Sequence, residues 1–155
     1  MPERSYGKAI QNHFSKSKNH LMDISSLNYL AIFVAALSTF LIGGLWYSPL
    51  LFSKAWMQEN GFTDEDLKGG NMARIFGGSF VLGFIMAFNL AAFLSDSNDL
   101  TWGITAGALA GIGWVAASMG VTYLFERKSM KLFLINAGYH VVSFLVMGAI
   151  VGVWK

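Results

Sequence analysis

Cysteine is absent from this chain of 155 residues, and charged residues are scarce. Without cysteine there is no disulfide, no thiolate metal site and no cysteine nucleophile. Charged residues make up 13% of the chain, well below the roughly 25% that soluble domains carry. No basic stripe with interleaved aromatic residues is present, so nucleic acid is not an expected partner. The chain is instead dominated by hydrophobic residues, at 54%.

The few charges leave four long uncharged windows, Ile24–Ser53, Ile75–Ser95, Leu100–Phe125 and Leu132–Trp154. Each window reaches the roughly 20 residues that a helix needs to cross the hydrocarbon core of a bilayer. The sequence therefore predicts an all-α membrane protein. We expect a bundle of four transmembrane helices made of two helical hairpins, with spans at about 27–47, 75–94, 100–125 and 132–154.

The segments between and before the spans are also interpretable. Residues 1–23 read as a polar, disordered tail, with Met22 as an alternative start, and residues 24–155 as one membrane domain. Lys54 lies among apolar residues, a pattern that predicts a short interfacial helix after the first span. Thr63 and Asp66 have the spacing of a capping box. The short link Ser95–Asp99 predicts that the second and third spans are antiparallel neighbours.

Small residues recur at every fourth position in three spans, which predicts close helix packing. The third span has Gly103, Gly107 and Gly111, the first has Ala35 and Gly43, and the fourth has Gly148 and Gly152. We interpret these as helix-packing residues of a glycine zipper. Because three such faces exceed what four helices need, we also expect a homo-oligomer.

The basic residues near span ends indicate the orientation. One side carries Lys54, Lys68, Arg74, Arg127, Lys128 and Lys131, and these lie close to the spans. The other side carries Lys155 and the four cations of the distant tail. The positive-inside rule therefore favours a cytoplasmic location for the first set. We expect a multi-pass protein of the cell membrane, the inner membrane of a bacterium, with both termini outside.

Polar and aromatic side chains gather at the same end of the predicted spans. The candidate ligand-binding residues are Trp46, Tyr47, Arg74, Tyr123, Glu126, Asn136, Tyr139 and His140. His140 is the only histidine or charged residue inside the spans, and such residues are functional candidates. The alternative is that a neutral His140 only hydrogen-bonds to a facing helix.

Catalysis and metal binding have little support. His140 with Glu126 could form a base and its orienting carboxylate, but no nucleophile motif or phosphate loop accompanies them. We predict no catalytic residue, no metal ligand and no cofactor. The acids Glu59, Asp64, Glu65 and Asp66 lack the spacing of an EF-hand, so a solvated face is favoured over a cation site.

Several short runs resemble a known family. They are Asn28-Tyr29-Leu30-Ala31, Gly44-Leu45-Trp46-Tyr47-Ser48-Pro49 with Phe52, Lys54 and Trp56, Gly70-Asn71-Met72, and Asn136-Ala137-Gly138-Tyr139. Together they are similar to the domain-of-unknown-function family numbered 1761, over about Leu27 to Trp154. The resemblance implies a small, mostly bacterial, four-span membrane protein, and it adds no catalytic residue.

Three functions follow as hypotheses. The leading one is a non-enzymatic, oligomeric membrane protein, in contact with the lipid bilayer, that holds a small ligand or lipid near His140. The second is a channel or transporter subunit for a small solute or ion, which would need polar residues through the whole membrane. The third is an intramembrane enzyme.

Overall fold

Four helices that are long and apolar enough to cross a membrane make up most of the structure, a computed structural model that describes residues 26–94 and 99–154. The first span is α1 (Tyr29–Trp46), followed by the short helices α2 (Ser53–Asn60) and α3 (Asp64–Lys68). The second span is α4 (Met72–Phe93). The third runs through α5 (Leu100–Ala108), a π-helical segment (Leu109–Ala116) and α6 (Ala117–Phe125), and the fourth is α7 (Met130–Val153). The predicted all-α fold with four spans is confirmed; the predicted tail lies outside the described residues.

A polar side chain caps the N-terminus of every span. Asn28, Asn71, Asp99 and Ser129 each accept a hydrogen bond from a backbone N–H in the first turn. The second span therefore begins at Met72 and the fourth at Met130, earlier than residues 75 and 132. The spans predicted from the sequence begin after the last charged residue before each apolar run. The helices begin earlier, because the capping side chain, and not the edge of the membrane, sets the first residue of a helix.

The short helices of the long connection match their sequence signals. Thr63 and Asp66 form the predicted capping box at the start of α3, and the helix ends at Gly69. Helix α2 ends at Gly61, whose φ of 68° is left-handed and therefore suits glycine. Helix α2 packs against the fourth span, so it lies against the end of the bundle.

The fourth span is the centre of the bundle. The first and third spans pack along it, and the second span packs on the first and, less extensively, on the fourth. The core is built mainly of small and branched side chains, including Ile32, Ala36, Ala87 and Leu90, together with the larger Phe144 and Met147. The first and fourth spans run antiparallel, since Trp46 near the end of one bonds Ile135 near the start of the other.

Glycine brings the third and fourth spans to backbone contact. A Cβ added at Gly107 would lie 2.9 Å from the carbonyl carbon of Phe144, and one at Gly103 would lie 2.9 Å from Cα of Gly152. At Gly111 the nearest atom is Cα of Val141, at 3.1 Å. No side chain fits at Gly103 or Gly107 without moving backbone, and one at Gly111 would require its neighbour to move by a few tenths of an ångström. The glycine face of the third span therefore packs inside the chain, on the fourth span.

The small residues of the first span also face inward. Ala31, Ala35 and Thr39 are buried, and a Cβ at Gly43 would lie 3.4 Å from the ring of Tyr139. The face that runs from residue 31 to residue 43 is therefore occupied by neighbouring helices of the same chain.

The second and third spans separate although a short link joins them. Beside the link, the ring centroids of Phe93 and Trp102 lie 6.1 Å apart. Away from it, every residue from 71 to 79 is exposed, and no residue of α6 is buried. The predicted antiparallel contact therefore holds only near the link. The physical reason is that the glycines of the third span direct it onto the fourth.

We call the end of the bundle that carries α2, α3 and the link Glu126–Ser129 the basic end. It holds six cationic residues, Lys54, Lys68, Arg74, Arg127, Lys128 and Lys131. Towards this end, residues 71 to 79 are all exposed, and no residue of α6 is buried. The second and third spans converge at the opposite end, where the described residues Phe93 and Trp102 meet.

Candidate functional site

Asn136 joins three spans near the basic end. The hydroxyl of Tyr47, which follows the first span, donates to Oδ1 of Asn136 at 3.0 Å. Nδ2 of Asn136 donates in turn to the hydroxyl of Tyr123 in the third span, at 2.8 Å. One amide thus uses its acceptor and one donor to connect the first, third and fourth spans. We call this chain of hydrogen bonds the Asn136 bridge.

Two further aromatic side chains tie the first span to the fourth. The indole N–H of Trp46 donates to the carbonyl oxygen of Ile135 at 2.9 Å. The hydroxyl of Tyr139 donates to the carbonyl oxygen of Thr39 at 3.3 Å. Gly138 makes room for the indole, since a Cβ there would lie 3.0 Å from Trp46 Cζ2. Five of the eight predicted ligand-binding residues therefore bond within one cluster.

His140 lies at the edge of this cluster. Its ring is half-buried and meets the ring of Tyr139 edge-on, with centroids 5.0 Å apart. Among the described residues no hydrogen bond of the imidazole is found. Within the described part of the chain, His140 therefore makes no hydrogen bond that joins two helices, and its ring is only partly buried.

The other two predicted site residues lie apart. Arg74 and Glu126 are exposed, and neither side chain has a hydrogen bond or ion pair within the described part of the chain. The pairing of Glu126 with His140, considered as a base and its orienting group, is not formed. Helix ends at the same side of a membrane were expected to converge, but the second span diverges from the third.

Glu59 has a role that the sequence did not reveal. Its carboxylate lies 3.3 Å from the amine of Lys131 and accepts a hydrogen bond from the hydroxyl of Ser129. The Ser129 hydroxyl first, and then Lys131, lower the pKa of Glu59. The same hydroxyl caps the fourth span by accepting from Leu132 N–H at 3.0 Å. Glu59 therefore anchors α2 to the start of the fourth span.

The acids near Glu59 do not converge with it. Asp66 is committed to the capping box, where the Thr63 backbone N–H, and then the Thr63 hydroxyl, lower its pKa. Within the described residues no group of three or more potential metal ligands occurs. The acidic segment therefore serves helix ends in this structure.

A cleft of about 370 Å³ opens between the separated second and third spans. Its lining is almost wholly apolar, and the amide of Asn89 is its most polar group. We call it the lateral cleft; its walls and floor include Ile85, Asn89, Phe93, Leu109, Trp114 and Phe144. Trp114 is 70% exposed there. An aromatic ring that faces an open groove at this depth offers a contact surface to an apolar molecule.

The floor of the lateral cleft leads towards the polar cluster. Phe144 forms part of that floor. His140 and Asn136 lie one and two turns nearer the basic end and on the same helical face, since their spacing is i−4 and i−8. The second span has left this face by then, as residues 71 to 79 are exposed. Along the fourth span, the cleft residue Phe144 is thus followed by His140 and then by the Asn136 bridge.

The polar face of the fourth span stops in mid-membrane. Its last member is Ser143, whose hydroxyl is buried and has no hydrogen-bond partner among the described residues. From Phe144 to Val153 every side chain is apolar or absent. The polar groups of the fourth span therefore reach inward from the basic end only.

The lateral cleft and the π-helical segment beside it were missed from the sequence. Leu109, Ala110, Trp114 and Val115 belong to the segment and also line the cleft. Short π-helical stretches often mark functional places in a helix. The available signal was Trp114, the one tryptophan in the middle of a span.

Comparison with known proteins gives a family but no activity. No significant match is found among curated proteins or among solved structures. Residues 30–152 match the family described as protein of unknown function (DUF1761). The match covers all four spans and agrees with the resemblance noted in the sequence. The chain therefore belongs to the DUF1761 family, and the four apolar helices of this chain are those of a multi-pass membrane protein.

Proposed function

We propose that this protein is a non-enzymatic membrane protein that holds an amphipathic, lipid-like molecule. The hydrocarbon part occupies the lateral cleft, and the polar part lies towards His140 and the Asn136 bridge. The observation that carries the proposal is the cleft of about 370 Å³ whose floor, Phe144, lies one turn from His140. A site that is apolar at one end and polar at the other suits a molecule that has a hydrocarbon part and a polar part.

The depths of these residues support this arrangement. At about 1.5 Å per residue, Asn136 lies roughly 9 Å and His140 roughly 15 Å into the fourth span from Met130. Phe144 lies about 21 Å in, beyond the midplane of a hydrocarbon core about 30 Å thick. A molecule aligned with the bilayer would meet the polar groups in the half nearer the basic end, and its chain would continue into the cleft.

The polar groups support binding over chemistry or conduction. Tyr47, Tyr123 and Asn136 are bonded to one another, and among the described residues no hydrogen bond or ion pair joins Glu126 to His140, which favours binding over acid–base chemistry. Conduction would need polar groups through the whole membrane. Beyond Ser143, the fourth span has only apolar residues, which argues against a path through a single chain.

We also propose that the protein forms a homo-oligomer, but through other surfaces than the small-residue faces from which we first expected one. The small-residue faces that led us to expect a homo-oligomer are occupied within the chain. A second copy would have to contact other surfaces of the bundle.

We propose also that the basic end faces the cytoplasm of a bacterial cell, with both termini outside, because its cations lie close to span ends. A reporter fused after Lys155 is expected to be non-cytoplasmic.

The experiment that tests ligand binding fills the lateral cleft. The protein is reconstituted in nanodiscs of phosphatidylglycerol and phosphatidylethanolamine, and bound lipid is counted by native mass spectrometry. Leu109 lines the cleft and is 58% exposed, whereas Leu41 is 79% exposed on the outside of the first span. Leu109→Trp should lose most of the retained lipid, and Leu41→Trp, the matched control, should keep it.

Two outcomes would contradict the proposal. One is a Leu109→Trp variant that retains as much lipid as the unmodified protein. The other is a wild-type protein that carries no lipid and appears as a dimer that Leu109→Trp splits into monomers. That second result would show that the cleft binds another copy of the chain.

A further inference from the structure

The inward side of the third span repeats every four residues. Gly103 and Gly107 contact the backbone of the fourth span. Further along, Val115 packs against the core, and Tyr123 bonds Asn136 of the fourth span. In an α-helix, residues spaced by four drift round the surface by about 40° at each step, because a turn holds 3.6 residues. The third span nevertheless keeps these positions on one side from end to end.

The π-helical segment explains why the drift is absent. Tyr123 lies sixteen positions after Gly107. At about 100° per residue, a continuous α-helix would place it roughly 160° from Gly107, on the far side of the span. A π turn holds one more residue than an α turn, because its hydrogen bonds join residues five apart. The segment Leu109–Ala116 therefore acts as one inserted residue that turns Tyr123 back towards Asn136.

The two halves of the third span are held unequally. The glycines of α5 meet the backbone of the fourth span at Gly148 and Phe144, so α5 is fixed in place. No residue of α6 is buried. Among the described residues, its one side-chain hydrogen bond to another helix is the bond of 2.8 Å from Asn136 to Tyr123. Helix α6 can therefore turn about its axis while α5 stays where it is.

Trp114 would turn together with α6. It belongs to the π-helical segment and lines the lateral cleft. It lies seven positions after Gly107, so a continuous α-helix would place it only about 20° from Gly107, towards the fourth span and away from the cleft. The same change would carry Tyr123 away from Asn136. The contact of Trp114 with the cleft and the Asn136 bridge thus require the same π-helical state.

We propose that the π-helical segment is a switch that couples the lateral cleft to the Asn136 bridge. In one state the segment is π-helical, Trp114 lines the cleft, and Tyr123 bonds Asn136. In the other state the third span is a continuous α-helix, α6 has turned, and both contacts are lost. A molecule that contacts Trp114 in the cleft favours the first state, and by reciprocity the bridge strengthens its binding. This regulation rests on the proposed function, because it acts on the same ligand.

The first experiment tests whether the segment contains one extra residue. The chain has no cysteine, so Gly120→Cys with Phe133→Cys introduces a single pair of thiols. A Cβ at Gly120 would lie 3.4 Å from the ring of Phe133, and a short bifunctional thiol reagent should therefore join the pair rapidly. The rate of cross-linking is measured in nanodiscs, and circular dichroism establishes that every variant remains helical.

One deletion and one insertion are compared in this cross-linking assay. Ile112 is 58% exposed in the π-helical segment and lies outside the lining of the cleft. Its deletion should leave the rate within about twofold, because the shortened span forms a plain α-helix that keeps its register on both sides. Insertion of one alanine after Ile112, the matched control, should slow cross-linking by about tenfold or more, because it turns α6 by about 100°.

The second experiment tests the coupling to the cleft. Tyr123→Phe removes the hydroxyl that accepts from Asn136. In nanodiscs of phosphatidylglycerol and phosphatidylethanolamine, bound lipid counted by native mass spectrometry should fall by up to about fivefold, the weight of one interhelical hydrogen bond. With Ile112 deleted, Tyr123→Phe should change nothing, because no second state remains. Thr122→Val removes a hydroxyl that bonds only Ser118 of the same helix among the described residues, and it should keep the lipid.

Each contrary outcome has a definite meaning. Cross-linking that is slowed equally by the deletion and by the insertion would show that the span holds no extra residue, and it would overturn the inference. Lipid binding that Tyr123→Phe leaves unchanged would overturn the coupling. A loss of lipid that persists after deletion of Ile112 would indicate direct contact of Tyr123 with the lipid, which overturns the coupling and leaves the proposed function intact. A wild-type protein without lipid would overturn the proposed function, whereas the cross-linking rates would still decide the register of the third span.

Discussion

Replacing Gly107 by alanine adds one methyl group where the third and fourth spans are closest. The new carbon would lie 2.9 Å from the carbonyl carbon of Phe144. Carbon atoms settle at about 3.5–4.0 Å, so the helices must separate by roughly 0.6 Å or more. The obstructing atoms are backbone, so no side chain can rotate away. Overpacking of this kind costs about 1–3 kcal/mol.

Gly113→Ala is the matched control, because it is the same change in the same span. Nothing lies within 4 Å of a Cβ at Gly113, so this variant keeps only the helix-propensity gain of about 1 kcal/mol. Since Gly107→Ala has that gain too, its net loss should be about 0–2 kcal/mol. The gain is common to both variants, so they should differ by the overpacking cost alone, about 1–3 kcal/mol.

The assay is reversible unfolding in mixed micelles, followed by circular dichroism. Because the contact lies within one chain, the difference between the variants should not depend on protein concentration. Equal stability of Gly107→Ala and Gly113→Ala would refute the packing argument. A deficit that appears only at high protein concentration would move the contact to an interface between copies.

Three further predictions follow from the site and the basic end. Asn136→Leu removes both hydrogen bonds of the Asn136 bridge and should lower the free energy of unfolding by about 1 kcal/mol. Among the described residues the amide of Asn89 bonds only the carbonyl oxygen of Ile85, in its own helix, so Asn89→Leu should stay within about 0.5 kcal/mol of wild type; an equal loss in both variants would refute a stabilising role of the Asn136 bridge. The contacts of Glu59 lower its pKa. They therefore stabilise the fold at pH values above the usual carboxyl pKa, and this stabilisation is lost as the pH falls through the lowered pKa of Glu59. The difference in Tm between wild type and Glu59→Gln should therefore be present at neutral pH and disappear in strong acid; a difference that persists there would argue against the contact. Because Arg127 has a left-handed φ of 55°, Arg127→Gly should raise the free energy of unfolding by about 1 kcal/mol; a less stable variant would contradict the strain at this residue.

The four spans were predictable because charge is confined to their ends, and hydropathy reports depth in a bilayer. Hydropathy does not report which helix a span touches, because lipid and protein interiors are similarly apolar. Glycine carries that information. Gly103, Gly107 and Gly111 marked the face that packs, although its partner, the fourth span, became evident only in the structure.

Part of the candidate site was also predictable from the sequence. Aromatic residues at span ends and Asn136 converge because the first and fourth spans pack along their whole length. Arg74 does not join them, because its span packs on the first and leaves the third. The role of Glu59 depends on how α2 folds back onto the fourth span, and no spacing in the sequence encodes that contact.

The backbone contact between the third and fourth spans also affects the entropy of assembly. In a bilayer the two helices are already formed before they meet, so their backbone dihedral angles are fixed beforehand. Glycine has no rotamers to lose when it is buried. Joining Gly107 to the backbone at Phe144 therefore immobilises no side chain at the point of contact, and association there is favoured by dispersion without a matching loss of side-chain freedom.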